Sequence, residues 1–270
     1  LPMSTVLLDQ YLKRLRLPTM VKNYELLAKE AETNRVSYEE YLCCLSEQEV
    51  QAREENTRKE RLAKARFPAM KTLDQFKFDE IPSLDKSMVL QLFTGQYLAS
   101  AENLVFLGGH GTGKTHLAIS LGVEACANGK KVRFYSVGEL VHQLLEARDA
   151  RQVFRLQQQL ARYDLLILDE LGMTDCKQDG GNLLFQVISS RYERCSTIIT
   201  TNLEFKDWTS VFGTQQLTNA LLDRLVHRCQ IVPMNGESYR FKESVRRKKK
   251  ASAAETAVPE TRSKANATAK

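Results

Sequence analysis

Apolar side chains recur at helical spacing through the first part of the chain. Leu8, Tyr11, Leu12 and Leu15 stand at i, i+3, i+4 and i+7, and Met20, Tyr24, Leu27 and Ala31 form a second stripe. A third begins at Ser37-x-x-Glu40, the pattern in which a serine and a glutamate side chain each satisfy a backbone amide at a helix start. Tyr38, Tyr41, Leu42 and Leu45 follow it on one face. From Glu47 to Ala65 charges of both signs dominate, which predicts that this helix continues with a solvated surface. Phe67-Pro68 ends it, because a residue before proline is driven out of the helical region. The pattern therefore predicts a small all-helical domain over 3–66 and a linker over 67–83.

Beyond the linker the period changes. Short continuous apolar runs at 103–107, 131–135, 164–168, 196–200 and 230–233 alternate with helical patterns at 85–98, 114–127, 137–147, 150–162, 180–194 and 215–226. Strands with no polar alternation need cover on both faces. The expected architecture is α/β, with a central parallel five-stranded sheet between helical layers, in a domain over 84–245.

Length adds little to this: 270 residues suit one sizeable domain and a smaller one. Leu1-Pro2 before Met3 reads as an expression remnant. No signal peptide is recognised, and no apolar run approaches the ~18 residues that span a membrane. The six cysteines (Cys43, Cys44, Cys126, Cys176, Cys195, Cys229) form no C-x-x-C pair and read as reduced, buried thiols. The four histidines lack metal spacing. Charge is informative by its position. From Arg240 to Lys270 the balance is +7, against +6 for the whole chain. Its centre, Arg246-Arg247-Lys248-Lys249-Lys250, precedes a stretch with almost no large apolar residues, so 246–270 is expected to be a basic, disordered tail. It serves either as an arm for nucleic acid or as a solubilising extension.

The chemistry is concentrated after the first apolar run. Gly108-Gly109-His110-Gly111-Thr112-Gly113-Lys114-Thr115 fits G-x-x-x-x-G-K-[ST] at every fixed position. In such a loop glycines let backbone amides surround phosphate oxygens, the lysine reaches the β- and γ-phosphates, and the Thr115 hydroxyl binds Mg²⁺. A helix starting at the loop aims its N-terminus at the phosphates. About fifty residues later Leu165-Leu166-Ile167-Leu168-Asp169-Glu170 reads as an apolar strand beside the P-loop strand, ending in two acids. Asp169 fits an outer ligand for Mg²⁺ and Glu170 a general base for the attacking water, although acids also end many strands. Asn202 closes another buried strand. The pattern alone does not choose between a contact to the γ-phosphate and a turn-initiating Asn.

Together with Ile198-Ile199-Thr200-Thr201-Asn202, Asp223-Arg224-Leu225 and Glu237-Ser238-Tyr239-Arg240, these motifs resemble the AAA+ ATPases of the initiator and helicase-loader group. Within that group the chain is most similar to the IstB-like helper ATPases of insertion sequences, over roughly 3–245; the helicase loader DnaC shares the core motifs. The resemblance implies ATP and Mg²⁺ as ligands and ATP hydrolysis to ADP and phosphate. It implies a ring or spiral homo-oligomer on double-stranded DNA, in a bacterial cytoplasm, assisting a DDE-type transposase in choosing and remodelling target DNA. A replicative helicase loader and an ATP-occupancy switch with slow hydrolysis are the alternatives. A small-molecule P-loop kinase would leave the Asp-Arg-Leu and Ser-Tyr-Arg elements without a place.

By residue, the resemblance implies that Asn202 is the sensor-1 position and Arg224 the arginine finger acting on a neighbour's ATP, with Arg228 as its rival. Arg240 matches the sensor-2 arginine. The two helical patterns at 137–147 and 150–162 correspond to the extra helix that favours an open spiral. Arg148, Arg151 and Arg155, at i, i+3 and i+7, would share one helix face, either following a DNA backbone or forming a solvated charged surface.

Overall fold

The computed structural model describes residues 3–173, 176–236 and 238–239. Helices α1 (Met3–Arg14), α2 (Pro18–Asn34) and α3 (Tyr38–Ala65) form the N-terminal part. The capping box opens α3: the Glu40 amide donates to Ser37 Oγ at 3.2 Å and the Ser37 amide to Glu40 Oε2 at 3.3 Å. Helix α2 has no side-chain cap of its own at Leu17. Glu49 of α3 takes that place, accepting from the amides of Thr19 at 2.8 Å and Met20 at 3.2 Å, while Arg53 Nε donates to it at 2.8 Å.

Glu49 is only 3% exposed. Burial by itself would raise its pKa, but Arg53 and the two amides outweigh burial and hold it below the usual carboxylate value. Glu49→Ala leaves two amides at a helix start without an acceptor. It is expected to cost about 2 kcal/mol, read as a lower midpoint in denaturant followed by circular dichroism. Because the folded pKa is depressed, the contribution is present above the ordinary Glu range of about 4.3 and is lost as pH falls through the folded value. An unchanged midpoint in Glu49→Ala at pH 7 contradicts the capping role.

The first apolar stripe is not buried. Leu8, Tyr11 and Leu15 are 42, 53 and 66% exposed, since among the described residues α1 packs mainly on α2. The same sparse packing overturns the expectation of buried thiols at Cys43 and Cys44, which are exposed on α3; Cys126 and Cys176 are buried. The charged half of α3 is solvated until its last turn, where Ala65 is fully buried and Leu62 packs on the main core. There Arg133 Nη1 donates to the Lys64 carbonyl at 3.0 Å, closing the helix end from a neighbouring strand.

The connection over 67–83 is packed. Phe67, Leu73, Phe76 and Phe78 lie against the core, and two short 3₁₀ turns, Leu73–Gln75 and Phe78–Glu80, fold it along the domain. The helix expected over 85–98 is two helices, α4 (Lys86–Leu92) and α5 (Gln96–Ala99). Gly95 between them has φ +74°, a left-handed value that no α-helix continues through.

Strands β1 (Asn103–Leu107), β2 (Val132–Ser136), β3 (Leu165–Leu171), β4 (Ser196–Thr201) and β5 (Cys229–Pro233) form one sheet in the order β2-β3-β4-β1-β5, and every pairing is parallel. This is the expected AAA+ α/β architecture, with one correction. The strand ending in Asp169 is not beside the P-loop strand, because β4 lies between them. The crossover from β1 reaches the sheet edge at β2, and the chain then fills the gap inward through β3 and β4. Sequence order carries no trace of that skip.

Alternate residues of β1 feed two cores. Leu104 and Phe106 face α6 (Lys114–Ala127), the 67–99 segment and the end of α3. Val105 faces the layer of α7 (Val137–Asp149), α8 (Val153–Leu160), α9 (Lys177–Arg191), α10 (Thr209–Phe212) and α11 (Gln215–His227). With both faces covered, the carboxyl edge of the sheet is left open, the usual place for a ligand in such folds.

Candidate functional site

The glycine-rich loop joins β1 to α6 at that edge. Gly111 and Gly113 have φ of +75° and +86°, values that side chains rarely adopt. A Cβ on Gly113 would also stand 2.7 Å from Phe76 Cε2. Lys114, the first residue of α6, extends back over the loop, and its Nζ donates to the carbonyls of Gly108 at 2.8 Å and Gly109 at 2.6 Å. Thr112 Oγ1 donates to Gly109 O at 3.0 Å.

Thr115 of α6 and Asp169 of β3 meet although β4 lies between β3 and the strand that leads into the loop. Thr115 Oγ1 donates to Asp169 Oδ1 at 2.8 Å, and from β4 Thr200 Oγ1 donates to the same oxygen at 2.5 Å. Asp169 is 6% exposed. Thr200 also accepts from the Glu170 amide at 2.9 Å, so one side chain of the intervening strand fixes both acids. A hydroxyl and a carboxylate at this spacing suit Mg²⁺, an oxygen-seeking ion that takes few protein ligands and completes its shell with water and phosphate.

Glu170 breaks the strand. The β3–β4 register shifts between Leu168 and Leu171, and Glu170 has φ +63° and an exposed side chain between buried neighbours. A non-glycine residue held there costs roughly 1 kcal/mol or more and persists only where its surroundings impose it. The bulge turns the carboxylate into a cavity of about 570 Å³, a size that suits a nucleotide. Lys114, Thr115, Glu170, Thr200 and Asn202 line its polar side, with Asn202 Nδ2 3.2 Å from His110 Nε2. Its other wall comes from Phe76, Lys77 and Ile81 of the 67–83 connection and from Tyr239. The Tyr239 amide donates to Gly111 O at 3.0 Å, and Lys77 Nζ lies 5.6 Å from the Tyr239 ring centroid. His116 ties the connection down, with Nε2 2.9 Å from Thr72 O.

Sequence reasoning missed Thr200 and the apolar wall. Thr200 had a signal, since two threonines at the carboxyl end of an otherwise buried strand require partners there. Phe76 and Ile81 had none, because a phenylalanine in a connecting segment reads as packing.

Arg224 and Arg228 do not line their own chain's cavity. Arg224 is exposed on α11 with its guanidinium 5.3 Å from the Phe185 ring centroid, and Arg228 Nη1 donates to Ser100 O at 3.3 Å. The arginine face is corrected. Arg148 lies in the last turn of α7, Arg155 lies on α8, and Arg151 sits in the break between them at φ +55°, so the three do not share one helix face. Arg148 is paired with Asp149 at 3.2 Å and Asp179 at 2.8 Å. Arg240, Arg246, Arg247, Lys248, Lys249 and Lys250 lie outside the described residues. Among the described residues no helix is long and apolar enough to cross a membrane, and no cluster of His, Cys, Asp or Glu is suited to a metal without other donors.

The family model for IstB-like ATP binding proteins matches residues 10–247. The ATP-binding protein of insertion sequence IS21 from Pseudomonas aeruginosa is 38% identical over 236 residues, covering 87% of this chain and 89% of that one. The corresponding protein of IS5376 from Geobacillus stearothermophilus is 36% identical, covering 87% and 94%. Among solved structures, AMPPCP-bound DnaA from Aquifex aeolicus matches with a TM-score of 0.53 at 22% identity, covering 68% of this chain and 56% of that one. That likeness supports the fold, and the chain spans little more than half of that structure.

Proposed function

The chain belongs to the IstB-like ATP-binding proteins of insertion sequences, and on that premise we propose that it hydrolyses ATP, assembles on double-stranded DNA and assists a DDE-type transposase in selecting and remodelling target DNA. The observation that carries the hydrolytic part is the bulge at Glu170. A strained, exposed carboxylate at the edge of a nucleotide-sized cavity, held inside the register slip of β3, is what a general base needs and what a binding-only site does not. For this reason hydrolysis is favoured over a switch that responds to occupancy alone.

In this reading Lys114 and the loop amides bind the β- and γ-phosphates. Thr115 and Asp169 would hold Mg²⁺, which would neutralise charge on the phosphate oxygens. Glu170 and Asn202 orient the attacking water, and Arg240 reaches the same phosphates. Phe76, Ile81 and Tyr239 form the apolar wall for the base. Arg224 is supplied to the site of a neighbouring subunit, which makes turnover depend on a ring or spiral assembly. Arg151, Arg155 and the 246–270 tail supply cations for DNA phosphates.

The test is duplex binding by fluorescence anisotropy across a salt series, with ATP or ADP, alongside electron microscopy. Tight binding with ATP, indifferent to sequence, and a DNA-bound ring or spiral support the proposal. Each phosphate contact adds about 0.9 to the slope of log affinity against log salt. Truncation at 245 is expected to flatten that slope if the tail is an arm; an unchanged slope assigns the tail to solubility. Monomers on DNA with ATP overturn the assembly reading, and stimulation of helicase loading in place of transposition favours the loader.

A further inference from the structure

The P-loop carries a histidine at its third position, and that histidine is engaged. Asn202 Nδ2 lies 3.2 Å from His110 Nε2, bringing together the loop after β1 and the residue that follows β4. An amide nitrogen has two donors and no acceptor, so the ring nitrogen facing it is bare and the imidazole proton sits on Nδ1. The register supports the approach, because β1 and β4 are neighbours with Leu107 opposite Thr201. Both side chains line the cavity that also holds Lys114 and Glu170. The preceding residue is fixed as well, since Thr201 Oγ1 donates to Leu171 O at 2.8 Å. Only the Asn202 side-chain torsions are left to be set, and the imidazole sets them.

We propose that His110 is a positioning residue for hydrolysis, holding the Asn202 amide so that its second N–H and its Oδ1 face the terminal phosphate and the attacking water. The proposal rests on the ATPase reading and deepens it. It also makes the amide orientation depend on the ring. A proton gained at Nε2 turns that atom into a donor, the amide rotates to offer Oδ1, and donor and acceptor exchange places at the phosphate. The charged side chains lining the same cavity are Lys71, Lys77 and Glu80 of the connection, Lys114 of α6 and Glu170 of β3. His116 of α6 also lines it, and its Nε2 contacts Thr72 O instead. Each of these changes the field at the ring, but none exchanges donor for acceptor at Asn202.

The experiment uses the full chain with His110→Ala, Asn202→Ala, the double variant and His110→Gln. ATP turnover is measured with DNA, and affinities for ADP and a non-hydrolysable ATP analogue are measured by calorimetry. Each alanine variant is expected to lower kcat about tenfold with KM within about twofold, the pattern of an interaction made mainly in the transition state. The double variant is expected to be no worse than Asn202→Ala, because the two side chains act as one unit. His110→Gln keeps an acceptor for the amide. It should recover most of kcat while flattening the pH dependence that the imidazole is expected to give the wild type. Additive losses, or a wild-type pH profile in His110→Gln, overturn the proposal. The ratio of analogue affinity to ADP affinity reports contact with the terminal phosphate without turnover, and its loss should be non-additive too. If the wild type does not turn over but this ratio is non-additive, the ATPase reading falls and the positioning stands. If the wild type turns over and the ratio is additive, His110 alone is excluded.

Discussion

Replacing Lys114 with alanine is expected to abolish ATP binding and turnover together, whereas Glu170→Gln keeps ATP bound and stops its cleavage. Lys114 projects from the first residue of α6 across the loop, with its ammonium at the carbonyls of Gly108 and Gly109. In the proposed function it supplies the cation at the β- and γ-phosphates. Glutamine preserves the size and polarity of Glu170 but accepts no proton. Loss of a positioned base lowers turnover by about 10²- to 10⁴-fold. The two variants therefore separate on gel filtration with ATP and duplex DNA: Lys114→Ala elutes free of DNA, and Glu170→Gln accumulates as a DNA-bound assembly. Turnover at the wild-type rate in Glu170→Gln removes this residue from the general-base role.

The second large effect concerns Arg224, and it is an effect between subunits. The guanidinium is exposed over Phe185 and away from its own chain's cavity, the placement expected of a group that serves a neighbour. Arg224→Ala is expected to bind ATP normally and to lose turnover by on the order of 10³-fold or more. Mixing it with Lys114→Ala is the decisive arrangement. Neither variant hydrolyses ATP alone, yet a mixed assembly contains interfaces that join an intact P-loop to an intact arginine, so part of the activity returns. An arginine acting within its own chain gives no such rescue, because every intact P-loop then lacks its partner. No recovery in assemblies shown to be mixed excludes Arg224 from this role and moves the test to Arg228.

The parallel sheet and most of its helices were legible because buried strands and amphipathic helices announce themselves by period. The five apolar runs became the five strands with ends shifted by a few residues. The P-loop was legible because its glycines and lysine are required together at fixed spacing. What the chain did not display depends on spatial order. Nothing in the sequence says that β4 enters between β1 and β3, so the double role of Thr200 toward Asp169 and Glu170 was invisible. The cavity wall from Phe76 and Ile81 was hidden for a related reason, since a connecting segment shows its use only once it has folded back. The three arginines of 148–155 failed differently. Their spacing is helical, but Arg151 adopts a left-handed backbone at the junction of two helices, and periodicity does not register a break of one residue.

The anchoring of α3 has a mechanical consequence. Its root is clamped where Ala65 enters the core and Arg133 grips the Lys64 carbonyl, and a few residues later the chain becomes the wall of the cavity. The helix has 28 residues and so extends about 42 Å from that root. It is a stiff lever rooted at the amino-terminal edge of the sheet, where Arg133 stands at the start of β2 and Arg61 lies beside Gly129, just past the end of α6. A tilt of about 10° at the root sweeps the far end through roughly 7 Å. Small changes at that root are thus magnified at Tyr38 and Leu42, toward the far end of the helix on which α2 packs.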